Sequence, residues 1–350
     1  MTVSPEEFLA WRTPRFGDAN PTRMDNPLWT SLVHDRINAW QVNQQYGFAR
    51  AHGTGPTWCF DRFGQSTTVL ADGRTIYIAG EHEDYYDPDF CIYNDVVIVA
   101  PNGDVAIYGY PRDVFPPTDF HSATLFGGAI VIVGSLGYHD ERRVGRTPVY
   151  RLELATKAIE PIATTGDPPG WIHRHTATLE GTKLIVSGGM LQTADTLEDN
   201  IDEWALDLAT SRWERRTKKD WQRFALLPPE GTRARLFEIR QLLWGIEHPN
   251  FKSSVDFRAA LIEATGREPD LDVLRGMYRI DDDTRLLERD DDEYNVYRIE
   301  IDGVTVTFKE ESYRVTALVE GRLSDARLQD VQAHVQAALS ELHNALWRLV

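Results

Sequence analysis

The chain has 350 residues, of which 42% are hydrophobic and 26% are charged, and its formal net charge is −17. This composition is typical of a soluble globular protein with two or three domains. The negative charge excludes sequence-independent binding to nucleic acid or to an anionic membrane surface, because those surfaces are negatively charged themselves. A basic partner, or none, fits this charge better.

The start of the chain, MTVSPEEFLAWRTPRFGD, contains acidic residues and lacks the apolar segment that a signal peptide needs. No stretch of the sequence approaches the ~18 consecutive apolar residues of a membrane-spanning helix. We therefore expect a cytoplasmic protein that does not enter a membrane. Cys59 and Cys91 are too few for a disulfide framework, and we expect both to be reduced thiols.

The first predicted element is a helix in the segment NPLWTSLVHDRINAWQVNQQYG. Asn26 is a good N-cap, and Pro27 suits the first helical position. An apolar stripe follows at a spacing of three or four residues, formed by Trp29, Val33, Ile37 and Trp40. The stripe predicts that the helix packs on the strands that follow or on the C-terminal domain, and a helix that binds a separate partner is the alternative.

Two stretches further along the chain repeat each other at a distance of 54 residues. They read FHSATLFGGAIVIVGS from Phe120 and HRHTATLEGTKLIVSGG from His173. The aligned pairs are His121 with His175, Ala123 with Ala177, Leu125 with Leu179, Ile130 with Leu184, and Gly134 with Gly188. A period of this size is typical of stacked supersecondary units, none of which can bury its apolar face alone.

Each copy predicts four short strands joined by turns. Tyr150, Leu152 and Leu154 alternate with polar residues, which is the period of a strand with one buried face. A weaker first copy lies upstream and contains tight turns at Asp72-Gly73 and Asn102-Gly103. The three copies run from Gly64 to Pro117, from Thr118 to Gly170, and from Trp171 to Lys218.

The third copy resembles the kelch repeat of β-propellers. It reads GDPPGWIHRHTATLEGTKLIVSGG followed by DEWALDLATSRW, and the matching positions are Arg174, His175, Gly188, Gly189, Thr210 and Trp213. The second copy keeps His121, Gly134, Tyr150 and Thr156. It has Ser135 in place of the second glycine and Ile159 in place of the tryptophan, whereas the first copy has neither the histidine nor the tryptophan.

The resemblance implies a mainly β protein with an additional α+β part. A partial kelch-like β-propeller of three four-stranded blades would occupy residues 64–218, after an N-terminal helical segment in residues 1–63. Closed propellers use about four to eight blades. Three blades therefore predict an open arc that is completed by a degenerate blade, by a neighbouring domain, or by self-association with another chain.

Residues 219–350 predict an α+β domain of their own. RARLFEIRQLLWGI and SSVDFRAALIEATG have helical periodicity, and we expect the second helix to begin at Ser253 or Ser254 and to end near Gly266.

A pair of strands and a final helix complete this domain. NVYRIEIDGVTVTFKEESYRVTALVEG predicts strands on either side of a hairpin turn at Asp302-Gly303. The final helix is predicted to begin after a Ser324 cap and to continue to the terminus.

The candidate binding surface lies in the loops that follow the second strand of each blade, together with the approaches to the first strands. We expect these loops to gather at one end of the blades. The candidate binding residues are Glu81, His82, Glu83, Asp84, Tyr85, Tyr86, Asp87, Tyr138, His139, Trp171 and His173. The aromatic residues would supply contact area, and the acidic residues would select a basic partner.

The same collection of carboxylates and imidazoles could hold a divalent metal. The alternative metal ligands are His82, Glu83 and Asp87. In some kelch proteins a Glu-x3-Asp-x3-His run holds iron, and here Cys91 stands in the third place. For His121 and His175 we expect a structural role, because kelch blades often carry a structural histidine at that position.

Several catalytic signatures are absent from the sequence. It contains no P-loop, no G-x-G-x-x-G after a strand, no G-x-S-x-G and no H-E-x-x-H. The acidic stretch RIDDDTRLLERDDDEYN lacks the glycine and the final glutamate of a calcium loop. We therefore expect a cytoplasmic kelch-like module that binds a protein and needs no cofactor, with a metal-dependent enzyme or sensor as the alternative.

Overall fold

The computed structural model describes residues 3–47, 55–84, 87–194, 196–250, 253–288 and 293–350, and for residues 83, 84, 87 and 88 it describes the backbone alone. The chain divides into two compact units, Met1–Lys218 and Lys219–Val350. In the described ranges, none of the helices has the length and apolar character needed to cross a membrane.

The first unit begins with short helices and continues as a series of short strands. The helices are α1 Pro5–Trp11, α2 Pro27–Asp35 and α3 Ala39–Gln45, and a 3-10 turn covers His139–Glu141. The strands are β1 Thr22–Arg23, β2 Ser66–Val69, β3 Thr75–Ile78, β4 Glu81–Asp84, β5 Asp87–Ile92, β6 Val96–Val99, β7 Val105–Gly109, β8 Ser122–Phe126, β9 Ala129–Val133, β10 Val149–Glu153, β11 Ile159–Pro161, β12 Thr165–Gly166, β13 Trp171–His173, β14 Thr176–Glu180, β15 Lys183–Ser187, β16 Met190–Gln192, β17 Leu197–Asp199, β18 Glu203–Asp207 and β19 Arg212–Arg215.

Three antiparallel meanders form the blades. Blade 1 consists of β2, β3, β6 and β7, blade 2 of β8 to β11, and blade 3 of β14, β15, β18 and β19. The predicted mainly β fold with four-stranded blades is therefore confirmed. Two-residue strands extend blades 1 and 3, since β1 pairs with β7 and β12 pairs in parallel with β19.

The segment predicted to form one N-terminal helix forms two helices, α2 and α3. Its cap is confirmed, because the Asn26 side chain accepts a hydrogen bond from the Trp29 N–H at 3.1 Å. The helix ends at Arg36, whose left-handed backbone has a φ of 52°, and Asn38 then caps α3. Buried Trp29 stacks on Trp58 with ring centroids 5.0 Å apart, and the helices share a core with strands of blade 1.

Adjacent blades are joined by the same contacts at both junctions. The N–H of Phe120 donates to the Gly64 carbonyl at 2.9 Å, and the N–H of Arg174 donates to the Phe120 carbonyl at 2.8 Å. The kelch-position histidines repeat this regularity: His121 Nε2 lies 2.7 Å from the Ser66 hydroxyl, and His175 Nε2 lies 2.9 Å from the Ser122 hydroxyl. Both histidines thus bind the first strand of the preceding blade, which agrees with the expected structural role.

Apolar clusters fill the space between adjacent blades. One lies between blades 1 and 2 and contains Ile76 and Ile130, and another lies between blades 2 and 3 and contains Val131 and Leu184. Trp213 belongs to the second cluster and is 1% exposed, so this kelch-position tryptophan is buried. Blade 2 is therefore buried on both faces and depends on both of its neighbours.

The second unit is a mixed sheet with helices. Its elements are β20 Gln222–Leu227, α4 Leu236–Glu247, α5 Phe257–Thr265, α6 Leu271–Gly276, β21 Arg285–Leu286, β22 Val296–Ile301, β23 Val304–Glu311, β24 Arg314–Val319, α7 Asp325–His343 and β25 Arg348–Leu349. The strand order is β21-β22-β23-β24-β20-β25, and one apolar core joins the sheet to the helices. The unit is therefore α+β.

Two helix limits in this unit differ from the prediction. Helix α5 is capped by Asp256 rather than by either serine, because Ser253 accepts a hydrogen bond from the Val255 N–H and forms a turn before the helix. Helix α7 has the predicted Ser324 cap but does not continue to the terminus. It ends because Asn344 adopts a left-handed conformation with a φ of 49°.

Candidate protein-binding end of the blades

The connections from the second to the third strand of each blade lie at one end of the first unit. They comprise residues 79–95, 134–148 and 188–202. In an antiparallel meander the second strand ends where the first strand begins, so all three connections return to the same end. We call this end, where the first strands of the blades begin, the upper end. It carries the β4–β5 hairpin, the 3-10 turn and the β16–β17 hairpin.

Tyr138 joins the connections of blades 1 and 2. Its hydroxyl accepts a hydrogen bond from the Ile92 N–H at 3.0 Å, and its ring meets Phe90 edge to face at 5.8 Å. The Arg112 guanidinium lies 5.4 Å from the centroid of the Tyr138 ring and donates from Nε to Glu141 at 2.9 Å. Tyr138 is half-buried and holds two loops together, whereas the neighbouring candidate His139 is exposed.

Arg142 and Trp171 join the connections of blades 2 and 3. Arg142 donates from Nη1 to the Gln192 side chain and from Nε to the Leu136 carbonyl, both at 3.0 Å. The indole N–H of Trp171 donates to the same carbonyl at 3.1 Å. Trp171 is 9% exposed, so it supports the surface more than it adds to it.

His173 and His82 are inside the fold rather than on its surface. His173 is 1% exposed, and its ring nitrogens make no hydrogen bond to the described part of the chain. Burial lowers the pKa of His173 to about 4, and the positive charges of Arg174 and Arg142 act in the same direction. His82 is 5% exposed and lies opposite Cys91 in the β4–β5 hairpin.

A buried carboxylate lies beneath the connections. Asp119 is fully buried and accepts a hydrogen bond from the Gly137 N–H at 2.6 Å. Burial raises the pKa of Asp119, while hydrogen bonds from Gly137 and with Glu81 act in the opposite direction. Half-buried Glu81 is therefore part of the support of the upper end rather than an isolated surface acid.

The remaining acidic and aromatic candidates fall in residues 83–87 of the sequence. Tyr85 and Tyr86 lie outside the described residues, and so do the side chains of Glu83, Asp84 and Asp87. The acidic surface predicted for these residues is therefore still a prediction.

The alternative metal site would use His82, Glu83 and Asp87, and the side chains of Glu83 and Asp87 lie outside the described part of the chain. In the rest of the chain, as far as the structure describes it, no three His, Cys, Asp or Glu side chains come together as a metal site. Burial raises the pKa of the Cys91 thiol to about 11, so the thiol is protonated near neutral pH.

An arginine cleft adjoins the loops at the upper end. Its volume is about 560 Å³, and we define it by Arg112, Arg143 and Arg146 together with walls that include Tyr150 and Trp171. Arg112 pairs with Glu141, but Arg143 and Arg146 form no ion pair with any residue that the structure describes. No arginine is among the site residues predicted from the sequence, although the run ERRVGR in the second connection is a local signal of positive charge.

Comparison with known proteins extends the kelch resemblance. No family model matches the chain. A curated relative is Kelch domain-containing protein 3 of Bos taurus, which is 27% identical over 171 residues. These residues are 47% of this chain and 42% of the relative, so the chain spans less than half the length of the relative that it matches. A solved structure titled "Structure of YjhT" matches with a TM-score of 0.31 and 13% identity over 48% of this chain and 54% of that one. The repeated motif, the three meanders and the bovine relative agree that the blades of this protein are similar to kelch repeats.

Proposed function

We propose that this protein is a kelch-like interaction module whose upper end grips a protein partner. The convergence of the three connections carries the proposal, because hydrogen bonds of Tyr138, Arg142 and Trp171 tie them into one surface. A surface that is held in place before binding loses little conformational entropy when a partner docks. The likeness to a kelch domain-containing protein supports the same function.

The proposed surface combines acidic and basic groups. The β4–β5 hairpin contributes Glu83, Asp84 and Asp87, and we propose that it attracts basic groups of the partner. The arginine cleft would take an acidic group of the same partner, since Arg143 and Arg146 have no described carboxylate partner. Exposed charges of this kind act mainly on association rate and salt dependence.

The buried candidates have a supporting role in this proposal. His82, Trp171 and His173 hold the connections in place from below, and exposed His139 lies where a partner would make contact. We propose that the protein acts in the cytoplasm, without a cofactor. No observation in the described residues favours the metal-dependent alternative.

A site-specific photo-crosslinker tests the position of the binding surface. One variant carries the crosslinker at His139 at the upper end, and a control carries it at Thr156, in the turn at the opposite end of the same blade. Both positions are exposed. We expect partners from the native host to be crosslinked from position 139 and not from position 156. Equal crosslinking from both positions would show that the upper end is not the binding surface.

Charge variants test which groups the partner contacts. Replacing Glu83, Asp84 and Asp87 by Ala should slow association at low salt and reduce its salt dependence, with little effect on folding. Replacing Arg143 and Arg146 by Gln should also weaken capture, whereas the control Arg212→Gln should not. If capture persists in both charge variants and is lost on removal of residues 219–350, the second unit binds the partner and the blades are scaffold.

A further inference from the structure

The second unit contains a large open cavity. It has a volume of about 940 Å³ and lies between one side of α4 and the ends of β22 and β23. Cavities that bind small molecules typically measure about 300–1,000 Å³ and combine apolar walls with a few convergent polar groups. This cavity is large enough for such a ligand, and its lining has both features.

A buried ion pair forms the polar part of the lining. Arg240 donates from Nε and Nη2 to the two carboxylate oxygens of Glu310, at 2.7 and 2.5 Å, and the Tyr278 hydroxyl donates to Glu310 at 2.8 Å. The guanidinium also lies 3.8 Å from the centroid of the Tyr297 ring. These contacts hold the guanidinium rigidly, since Glu310 occupies one edge and Tyr297 one face. Arg240 lines the cavity, and its Nη1 group makes no hydrogen bond to a described residue.

The carboxylates of the lining are all engaged in ion pairs, and one arginine of the lining is not. Each carboxylate of the lining is paired with an arginine: Glu310 with Arg240, Glu247 with Arg275, and Glu311 with Arg314. Arg233 also lines the cavity, is exposed, and has no ion pair within the described ranges. A guanidinium without an ion pair beside carboxylates that are already paired favours an anionic ligand.

Exposed aromatic rings form the outer walls. Phe237 and Trp244 are 51% and 41% exposed and lie seven residues apart, on the same side of α4. Tyr294, which is 64% exposed, meets Phe237 edge to face at 6.4 Å. Exposed rings grouped at a cavity are typical of a binding surface, because isolated exposed apolar residues are common but groups of them are not.

We propose that this cavity binds an organic carboxylic acid with a flat apolar body. The carboxylate accepts hydrogen bonds from Arg240 Nη1 and from Arg233, and the body contacts Phe237, Trp244 and Tyr294. A small acid suits the site because the Arg240 side chain is only 21% exposed and lies deeper than the rings, where a single carboxylate can reach it. The site is in the second unit and does not depend on the function proposed for the blades.

Titration calorimetry of the full chain with 2-naphthoate tests the proposal, and 2-naphthamide serves as the uncharged comparison. We expect the acid to bind at least ~10-fold more tightly than the amide, because the amide cannot form charge-assisted hydrogen bonds with arginine. Arg233→Gln should reduce this preference, and Phe237→Ala and Trp244→Ala should weaken both probes. These residues are exposed, so the variants should fold normally.

Two control variants are matched in type and lie outside the cavity. Arg279→Gln removes an exposed arginine, and Leu346→Ala removes an apolar side chain that is 74% exposed. Neither should change the affinity for 2-naphthoate. Equal affinity for acid and amide, an equal loss in the controls, or no binding up to the solubility limit would overturn the proposal. Binding of an aromatic-rich peptide without binding of 2-naphthoate would overturn it in favour of a protein interface.

Discussion

Three buried histidines stay neutral in the folded blades. Burial lowers the pKa of His121 to about 3 and the pKa of His175 to about 4, and His173 has a similar pKa of about 4. In the unfolded chain a histidine has its ordinary pKa of about 6.5. Between these values the unfolded chain binds more protons, so the stability that depends on neutral histidine is fully present above about pH 6.5 and is lost as the pH falls.

We therefore predict that the free energy of unfolding falls as the pH is lowered from about 6.5 towards 4. Each histidine contributes at most about 1.4 kcal/mol per pH unit. His175→Gln should make this dependence shallower, because glutamine does not titrate and can still bond Ser122. Gln65 occupies the equivalent position in blade 1, directly before the first strand. Urea unfolding at several pH values measures the effect, and an unchanged slope in the variant would show that His175 does not take up a proton on unfolding.

Among the structural elements, we expect the junctions between blades to contribute most to the stability of the first unit. Gly134 and Gly188 follow the second strands of blades 2 and 3 at equivalent positions, with φ of 76° and 62°. A Cβ on Gly134 would lie 2.4 Å from the Ile172 carbonyl oxygen and 2.7 Å from the His175 ring, both in blade 3 or its approach. A Cβ on Gly188 would meet no atom within 4 Å. Both glycines have a left-handed backbone, but only Gly134 is followed by a further blade.

We predict that Gly188→Ala costs about 1–2 kcal/mol, the strain of a left-handed alanine. Gly134→Ala should cost at least ~1 kcal/mol more, because its Cβ also displaces the next blade. Unfolding of the two variants in urea, compared with the unmodified chain, measures this difference. Equal losses would mean that the junction between blades 2 and 3 is looser than the contacts indicate.

The first unit is a series of three blades, and the two ends of the series differ. Helices α2 and α3 share a core with blade 1. Blade 3 has Lys183, Ser187 and Glu203 where blade 2 has the buried apolar residues Ala129, Val133 and Val149. Repeat proteins need terminal units with a polar outer face. This face of blade 3 therefore resembles the end of a series more than a surface for a further blade.

We predict on this basis that the protein is a monomer, although completion by a second chain was one of the three possibilities that the blade count left open, beside a degenerate blade and a neighbouring domain. A polar face offers little apolar area to stabilise a dimer through blade 3. Light scattering after size-exclusion chromatography should give the mass of one chain across a range of concentrations. A dimer that is lost on the substitution Lys183→Glu, at an exposed position of this face, would show instead that the arc is completed by self-association.

The sequence by itself determined the blades, because strand alternation, turn residues and the 54-residue period can be read from the chain without knowledge of tertiary contacts. It also determined helix caps such as Asn26 and Ser324, whose hydrogen bonds span only three residues. It did not determine that Trp171 and His173 are buried or that Arg143 and Arg146 line a cleft. Tertiary structure decided these features, because burial depends on how loops of neighbouring blades meet, and residues far apart in the chain make those contacts.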